Sequence, residues 1–287
     1  METLDLEVGG RVRRALVSRA GGGRGPVPVV IMLHGAGGTA EIAAGQTRWD
    51  VLGAEQGFIA VFPEGTARDP ARAPEFRRNP QTWNDGSGRG HVAKAGVDDV
   101  AFLAALIETL ASDAGADQTA VFLTGFSNGG SLAFRAAAEL RQRISAVAPV
   151  AGHCWIEPAP GQIPSLLYLI GDADPLNPVE GGTVSTPWGG EEVHPPPRRS
   201  FDRWSVAAGC PQPSPPRREA QVVWTEATGC ARNIRMGIIE GQGHIWPGGP
   251  RLLPQRIVGR SVPALDATAL IWRFFAAVLA GKGSTFA

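Results

Sequence analysis

Apolar residues follow two rhythms along this chain. At the N-terminus METLDLEVGGRVRRALVSR (1–19) alternates apolar and polar positions about a Gly-Gly pair, which predicts two strands with one buried face and a tight turn between them. Further on, PVPVVIMLHG (26–35), GFIAVFPEG (57–65), TAVFLTG (119–125), ISAVAPVAG (144–152) and SLLYLIGDAD (165–174) are short unbroken apolar runs, which predict strands covered on both faces. Between them VDDVAFLAALIETLASDAG (97–115) and SLAFRAAAELRQR (131–143) carry helix formers, the first with apolar residues at helical spacing. Asp98 and Asp99 open the first of these helices, where the dipole favours negative charge. QVVWTEA (221–227) and ARNIRMGIIEG (231–241) predict two more strands, an edge pair, and DATALIWRFFAAVLAG (266–281) a closing helix. Strands alternating with helices predict an α/β fold, a mostly parallel central sheet with helices on both faces.

Residues 178–218 break the rhythm. PVEGGTVSTPWGGEEVHPPPRRS and CPQPSPPRRE are rich in proline and charge, with a short helix expected near SFDRWSVAAG (200–209). They hold too few apolar residues for a core of their own, so we expect a loop-rich insert on one domain spanning 1–287.

Composition narrows the class. Lys+Arg and Asp+Glu number 27 each, a formal net charge of +0, which argues against a nucleic-acid partner. No apolar run approaches the ~18 residues of a membrane span, and Arg273 interrupts ALIWRFFAAVLA (269–280). The N-terminus lacks the apolar segment of a signal peptide, so the protein is cytoplasmic if Met1 is the native start and exported if a leader preceded it. Cys154, Cys210 and Cys230 allow one bridge and one thiol, and no Cys-x-x-Cys points to a metal.

The chemistry centres on TGFSNGGS (124–131). Ser127 falls on a turn between a predicted strand and a predicted helix, fenced by Gly125 and Gly129 with Gly130 behind. A serine there can cap a helix, or it can be a nucleophile held out on a turn too tight for any but small neighbours. A serine hydroxyl needs a base. Of five histidines, His244 lies just past a strand run in a glycine-dense loop, where α/β enzymes place catalytic groups. His153 follows a strand and is placed to line a pocket, while His194 sits among prolines and charges and is expected to be solvated. Asp172 and Asp174 follow SLLYLI and can orient the base. Asp174 precedes Pro175, which holds it extended, whereas Asp172 is expected to cap its own turn. The chain order serine, acid, histidine is that of α/β-hydrolases. An oxyanion needs two backbone N–H donors. Asn128, after the serine, supplies one; Ala36, in the glycine-rich turn after an early strand, supplies the other, with His34 structural.

HGAGG (34–38), GFIAVFPEG, VDDVAFL (97–103), GFSNGG (125–130), GDADPLNPVEGG (171–182) and GHIWPGG (243–249) occur in order and together resemble the polyhydroxybutyrate depolymerase and feruloyl esterase family of α/β-hydrolases. The resemblance implies a secreted-type serine esterase, a monomer without metal or organic cofactor, acting on polyesters, hydroxyacid oligomers or acylated plant polysaccharides. It assigns Ser127 as nucleophile, Asp174 as acid and His244 as base, and it implies a Cys210–Cys230 bridge with Cys154 left as a thiol. Trp83 and Trp246 are then candidates for an aromatic substrate wall, beside His153. The chain departs from the family at Ala36, where members often carry cysteine, and in WNDGSGRG (83–90), which lacks the usual cysteine-rich turn. A peptidase or amidase of the same fold would need an anchor for a peptide terminus, which the sequence does not display. A silent binding protein would have no use for all three catalytic residues.

Overall fold

The computed structural model describes residues 1–19, 25–112, 115–161, 163–210, 212–262 and 265–281. Residues 113–114 of the first predicted helix and Pro211 of the proline-rich stretch lie outside them. The N-terminal alternation forms an antiparallel hairpin of β1 (Glu2–Val8) and β2 (Arg11–Ser18). The chain then enters the sheet at β3 (Val27–Leu33), passes through α1 (Ala40–Thr47) and α2 (Trp49–Gln56), and returns as β4 (Ile59–Pro63). A two-stranded excursion, β5 (Thr66–Ala67) with β6 (Gln81–Thr82), and α3 (Gly90–Lys94) lead to α4 (Asp99–Ser112). Then follow β7 (Ala116–Phe126), α5 (Asn128–Leu140), β8 (Ala146–Val150) and β9 (Ser165–Gly171).

The stretch 178–218 holds the expected short helix, α6 (Pro197–Ala207), but is more ordered around it than its composition predicts. A hairpin of β10 (Gly182–Ser185) and β11 (Glu191–His194) precedes α6, and β12 (Gln212–Pro213) and β13 (Arg217–Glu219) follow it. Glycine at 189 and 190, both at positive φ, lets the hairpin turn, and Pro197 at the start of α6 forfeits no helical hydrogen bond. Last come β14 (Val222–Thr228), β15 (Ile234–Ile239), α7 (Gln255–Val258) and α8 (Ala267–Leu279).

Eleven strands form one sheet, in the order β1-β2-β4-β3-β7-β8-β9-β15-β14-β12 with β13 also on β14. The six from β4 to β15 are mutually parallel. The expected pair forms, β14 antiparallel to β15, but it does not lie at the edge: β15 runs parallel to β9, and β12 and β13 cover β14. Alternate residues of β3 and β7 face opposite sides. Val29, Ile31, Val121 and Leu123 pack with α4, α5 and α6, and Val30, Met32, Ala120 and Phe122 with α1, α2 and α8. This is the α/β-hydrolase arrangement that the alternating pattern predicts. Among the described residues no helix is long and apolar enough to cross a membrane.

Two details position the site. From β3 the chain runs outward to β4 and then comes back to place β7 on the other side of β3. The strand order thus reverses between β3 and β7, and a crevice opens beyond their C-terminal ends. Asp99 stands in the first turn of α4, where the dipole favours it as expected, and it is also fully buried, 2.7 Å from Arg13 of β2. Burial raises its pKa, and Arg13 and the N–H of Asn84 oppose that rise. The N–H of Asn84 donates to Asp99 at 2.6 Å, so the pair holds the 83–85 loop against the sheet. Cys210, at the end of α6, is joined by a disulfide to Cys230, just past β14; Cys154 is a buried free thiol whose pKa burial pushes up to about 12.

Candidate active site

Ser127 sits between β7 and α5 at φ 55°, ψ −120°, a conformation that costs an L-residue on the order of 1–3 kcal/mol. Packing enforces it. A Cβ on Gly125 would lie 2.4 Å from the Gly129 carbonyl oxygen, and one on Gly129 would lie 2.3 Å from that of Leu33. Strand, elbow and helix approach so closely that no side chain fits at these two positions. The Ser127 N–H donates to the Val150 carbonyl at 2.9 Å, and its hydroxyl caps no helix N–H.

That hydroxyl lies instead 2.9 Å from Nε2 of His244. The loop after β15 delivers the ring, with the N–H groups of Gly243 and His244 pinned to the carbonyls of Arg260 and Val258 at 2.7 and 2.6 Å. His244 Nδ1 is 2.7 Å from Oδ2 of Asp174, whose side chain is fully buried. The other carboxylate oxygen accepts the N–H groups of Leu176 and Asn177, each at 2.8 Å. Asp174 is thereby fixed from both sides, and a serine proton can pass to a ring held in one orientation. Asp172 is exposed and points away. It accepts the Gly241 N–H at 2.6 Å, bracing the histidine loop rather than capping its own turn.

Beyond β3 the HGAGG turn closes around His34. Its Nε2 accepts the Gly65 N–H at 2.9 Å, so the proton resides on Nδ1, 2.8 Å from the Gly35 carbonyl. Complete burial pushes its pKa down to about 4 and keeps the ring neutral. In the same turn the N–H groups of Gly37 and Gly38 are taken by the Gln81 and Gly35 carbonyls at 2.7 and 2.9 Å. Among the described residues no protein acceptor takes the N–H of Ala36 or of Asn128. Both residues line the same cleft as Ser127. The Asn128 side chain bonds the 83–85 loop: its Oδ1 accepts the Trp83 N–H at 2.8 Å, and its Nδ2 donates to Trp83 O and Asp85 Oδ2 at 3.1 and 2.9 Å.

The cleft measures about 590 Å³. His153 lines it as expected, but His194 departs from expectation: its ring is 11% exposed and faces the same cleft. Asn177 links the two. Its Nδ2 donates to the Ala151 carbonyl at 2.6 Å, which turns Oδ1 toward His153 Nε2 and His194 Nδ1, each at 2.8 Å. Burial, reinforced by His194, pushes the pKa of His153 down to about 3. His194 also bonds Arg89 at 2.9 Å, and Arg89 pairs with Glu192 and stacks 4.2 Å over the Trp155 ring.

The aromatic wall expected from Trp83 and Trp246 does not form. Trp246 is 1% exposed, donates to Thr268 at 3.0 Å and does not line the cleft. Trp83 reaches the cleft but is equally buried, its indole N–H bonded to the His34 carbonyl at 2.8 Å, so it supports the turn from beneath. The aromatic lining that sequence reasoning missed is Phe76, Phe126 and Trp188. A lone Trp amid prolines and glycines in TPWGG was the available signal; for Phe76, Arg89 and Asn177 no local pattern marks them.

Comparison with known proteins agrees with this fold. A family model described as Phospholipase/Carboxylesterase matches residues 21–183, a span that holds Ser127 and Asp174 and stops short of His244. NocK of Nocardia uniformis subsp. tsuyamanensis, which bears an esterase name, is 31% identical over 262 residues, covering 81% of this chain and 69% of its own length. The bifunctional acetylxylan esterase/xylanase XynS20E of Neocallimastix patriciarum is 25% identical over 125 residues, 44% of this chain and 16% of that protein. Among solved structures, an acetyl xylan esterase from Aspergillus awamori superposes with a TM-score of 0.61 at 14% identity, covering 96% of this chain and all of that one, which shows the shared fold.

Proposed function

The chain belongs to the phospholipase/carboxylesterase family of α/β-hydrolase esterases, and from that premise we propose that it hydrolyses carboxylic esters through an acyl-enzyme on Ser127. The supporting observation is the unbroken run Ser127 Oγ, His244, Asp174, at 2.9 and 2.7 Å, opening on the cleft. The Ser127 oxygen attacks the ester carbonyl while His244 Nε2 takes its proton. Asp174 holds Nδ1–H and stabilises the imidazolium. The free N–H groups of Ala36 and Asn128 receive the oxyanion, Asn128 with the added field of the α5 N-terminus. His244 then hands its proton to the departing alkoxide, and the alcohol leaves. Water repeats the sequence, releasing the acid and restoring Ser127.

For the substrate we propose hydroxyacid oligomers or aryl esters of the feruloyl type, following the six ordered motifs. The Cys210–Cys230 bridge supports an oxidising, extracellular setting. A serine-directed fluorophosphonate should label the wild type at Ser127, and a panel of short esters, methyl ferulate and hydroxybutyrate oligomers ranked by kcat/KM should give measurable turnover. A protein that takes no label and splits no ester overturns the reading.

A further inference from the structure

Large apolar side chains that face water are few, and three of them line one cleft. Ile42, Trp188 and Leu252 are 42%, 40% and 54% exposed, and all three line the Ser127 cleft. Among the described residues Trp188 is the most exposed of the Phe, Trp and Tyr side chains. Solitary exposed apolar residues need no explanation, but exposed apolar residues that line the same cleft as a nucleophile mark a binding surface.

Trp188 is also held in place. It stands in the turn of the β10–β11 hairpin, where the Thr186 N–H bonds the Gly190 carbonyl at 3.0 Å. Its indole N–H donates to the Phe76 carbonyl at 2.6 Å, and the two rings lie 5.2 Å apart at 39°. Phe76 in turn rests on the oxyanion turn: a Cβ on Gly37 would be 2.6 Å from its ring. At its other end the hairpin is tied down by Glu192 to Arg89 and by His194 to Asn177. The indole N–H is thus already satisfied. What Trp188 presents to the cleft is ring surface, linked to Ala36 through Phe76 and Gly37.

We propose that Trp188 and Phe76 form a subsite for a planar aromatic group of the ester, and that Trp188 is the specificity-determining residue for it. The proposal rests on the esterase reading and narrows it from hydroxyacid oligomers or aryl esters to aryl-bearing esters. An aliphatic chain laid there gains only from leaving water. A flat ring gains that and the edge-to-face or offset contact that aromatic pairs prefer.

The test uses two substrates that differ by the ring alone, methyl 3-phenylpropanoate and methyl butanoate, with wild type, Trp188→Ala and Trp188→Phe. Trp188→Ala should raise KM for the phenyl ester about tenfold, move KM for the butanoate less than about twofold and leave kcat near wild type for both, with Trp188→Phe restoring most of the loss. Equal losses on the two esters, or none on the phenyl ester, would overturn the subsite. Calorimetric titration of methyl 3-phenylpropanoate into Ser127→Ala, with and without Trp188→Ala, reads the subsite without turnover. A Kd about tenfold weaker without Trp188 supports it even if the esterase reading has failed, and an unchanged Kd rejects it.

Discussion

Around Ser127 the chain is packed backbone against backbone, whereas around Trp188 it hangs on a handful of side-chain bonds. At the elbow, Gly125 and Gly129 bring main-chain atoms so close that an added methyl would overlap them. Below, the Arg13–Asp99 pair and the Asn128–Trp83 bonds hold the supporting loop. Across the cleft, the 67–82 loop folds about one buried residue, Asn79, which bonds Asp69, Arg72 and Ala73. The 182–194 hairpin adds the ties at Trp188, Glu192 and His194 and the buried side chain of Val184. A floor built this way holds its groups in one preorganised geometry, as charge development in a transition state demands. A roof built from side-chain bonds can change its residues without disturbing the floor. Floor substitutions should therefore act on kcat and roof substitutions on KM.

The sharpest test of that division is Ser127→Ala, expected to lower kcat by about 10⁴-fold or more with the fold intact. Unchanged circular dichroism with turnover gone fits the floor as described; wild-type turnover would end the mechanism. Next is Asp174→Asn, for which we expect kcat to fall about 10²–10⁴-fold, since an amide favours the wrong imidazole tautomer. Steady-state kinetics should show little change in KM, and a loss confined to KM would blur the division.

A smaller effect appears in stability against pH. Burial pushes the folded pKa of His34 to about 4 and that of His153 to about 3, both below the usual 6.5. Below pH 6.5 the unfolded chain takes up protons that the folded chain refuses. Their contribution is complete above that pH and is lost as pH falls toward the folded values. At pH 5 each should cost about 2 kcal/mol relative to pH 7. Asp99, its pKa raised by burial, works in the opposite direction. Urea unfolding at the two pH values measures the net slope, and His34→Asn should flatten it; an unchanged slope would mean that His34 is not the buried neutral ring described. The smallest effect is that of Asp172→Asn, which loses a charge from an exposed bond to Gly241: no more than about 1 kcal/mol of stability and near-normal kcat, read by melting temperature and kinetics. A collapsed kcat here would shift the orienting role to Asp172.

Sequence reading reached the floor because its signals are local. The apolar runs marked β3, β7 and β9, the three glycines marked the tight turn, and Pro175 distinguished Asp174 from Asp172 across two positions. It failed where composition outweighed context. Proline and charge made 178–218 look like loop around one short helix, yet glycines at its turns are compatible with the hairpin that forms there. His194, placed in solvent for the same reason, became part of the cleft through Asn177. Asp99 sits at the dipole-favoured end of α4 as expected, but its partner Arg13 lies 86 positions away, beyond any local pattern.

The sequence by itself determined the α/β alternation, the elbow and the order serine, acid, histidine, because strand period, glycine spacing and proline restriction act within a few residues of one another. The tertiary structure decided which aromatic rings meet the cleft. Trp83 turns inward to a carbonyl 49 residues away, and Trp188 reaches across to one 112 residues away. A tryptophan carries the same apolar surface in either place. Whether that surface is buried as support or left open as a binding face depends on what packs against it, and that is settled only when distant segments of the chain come together.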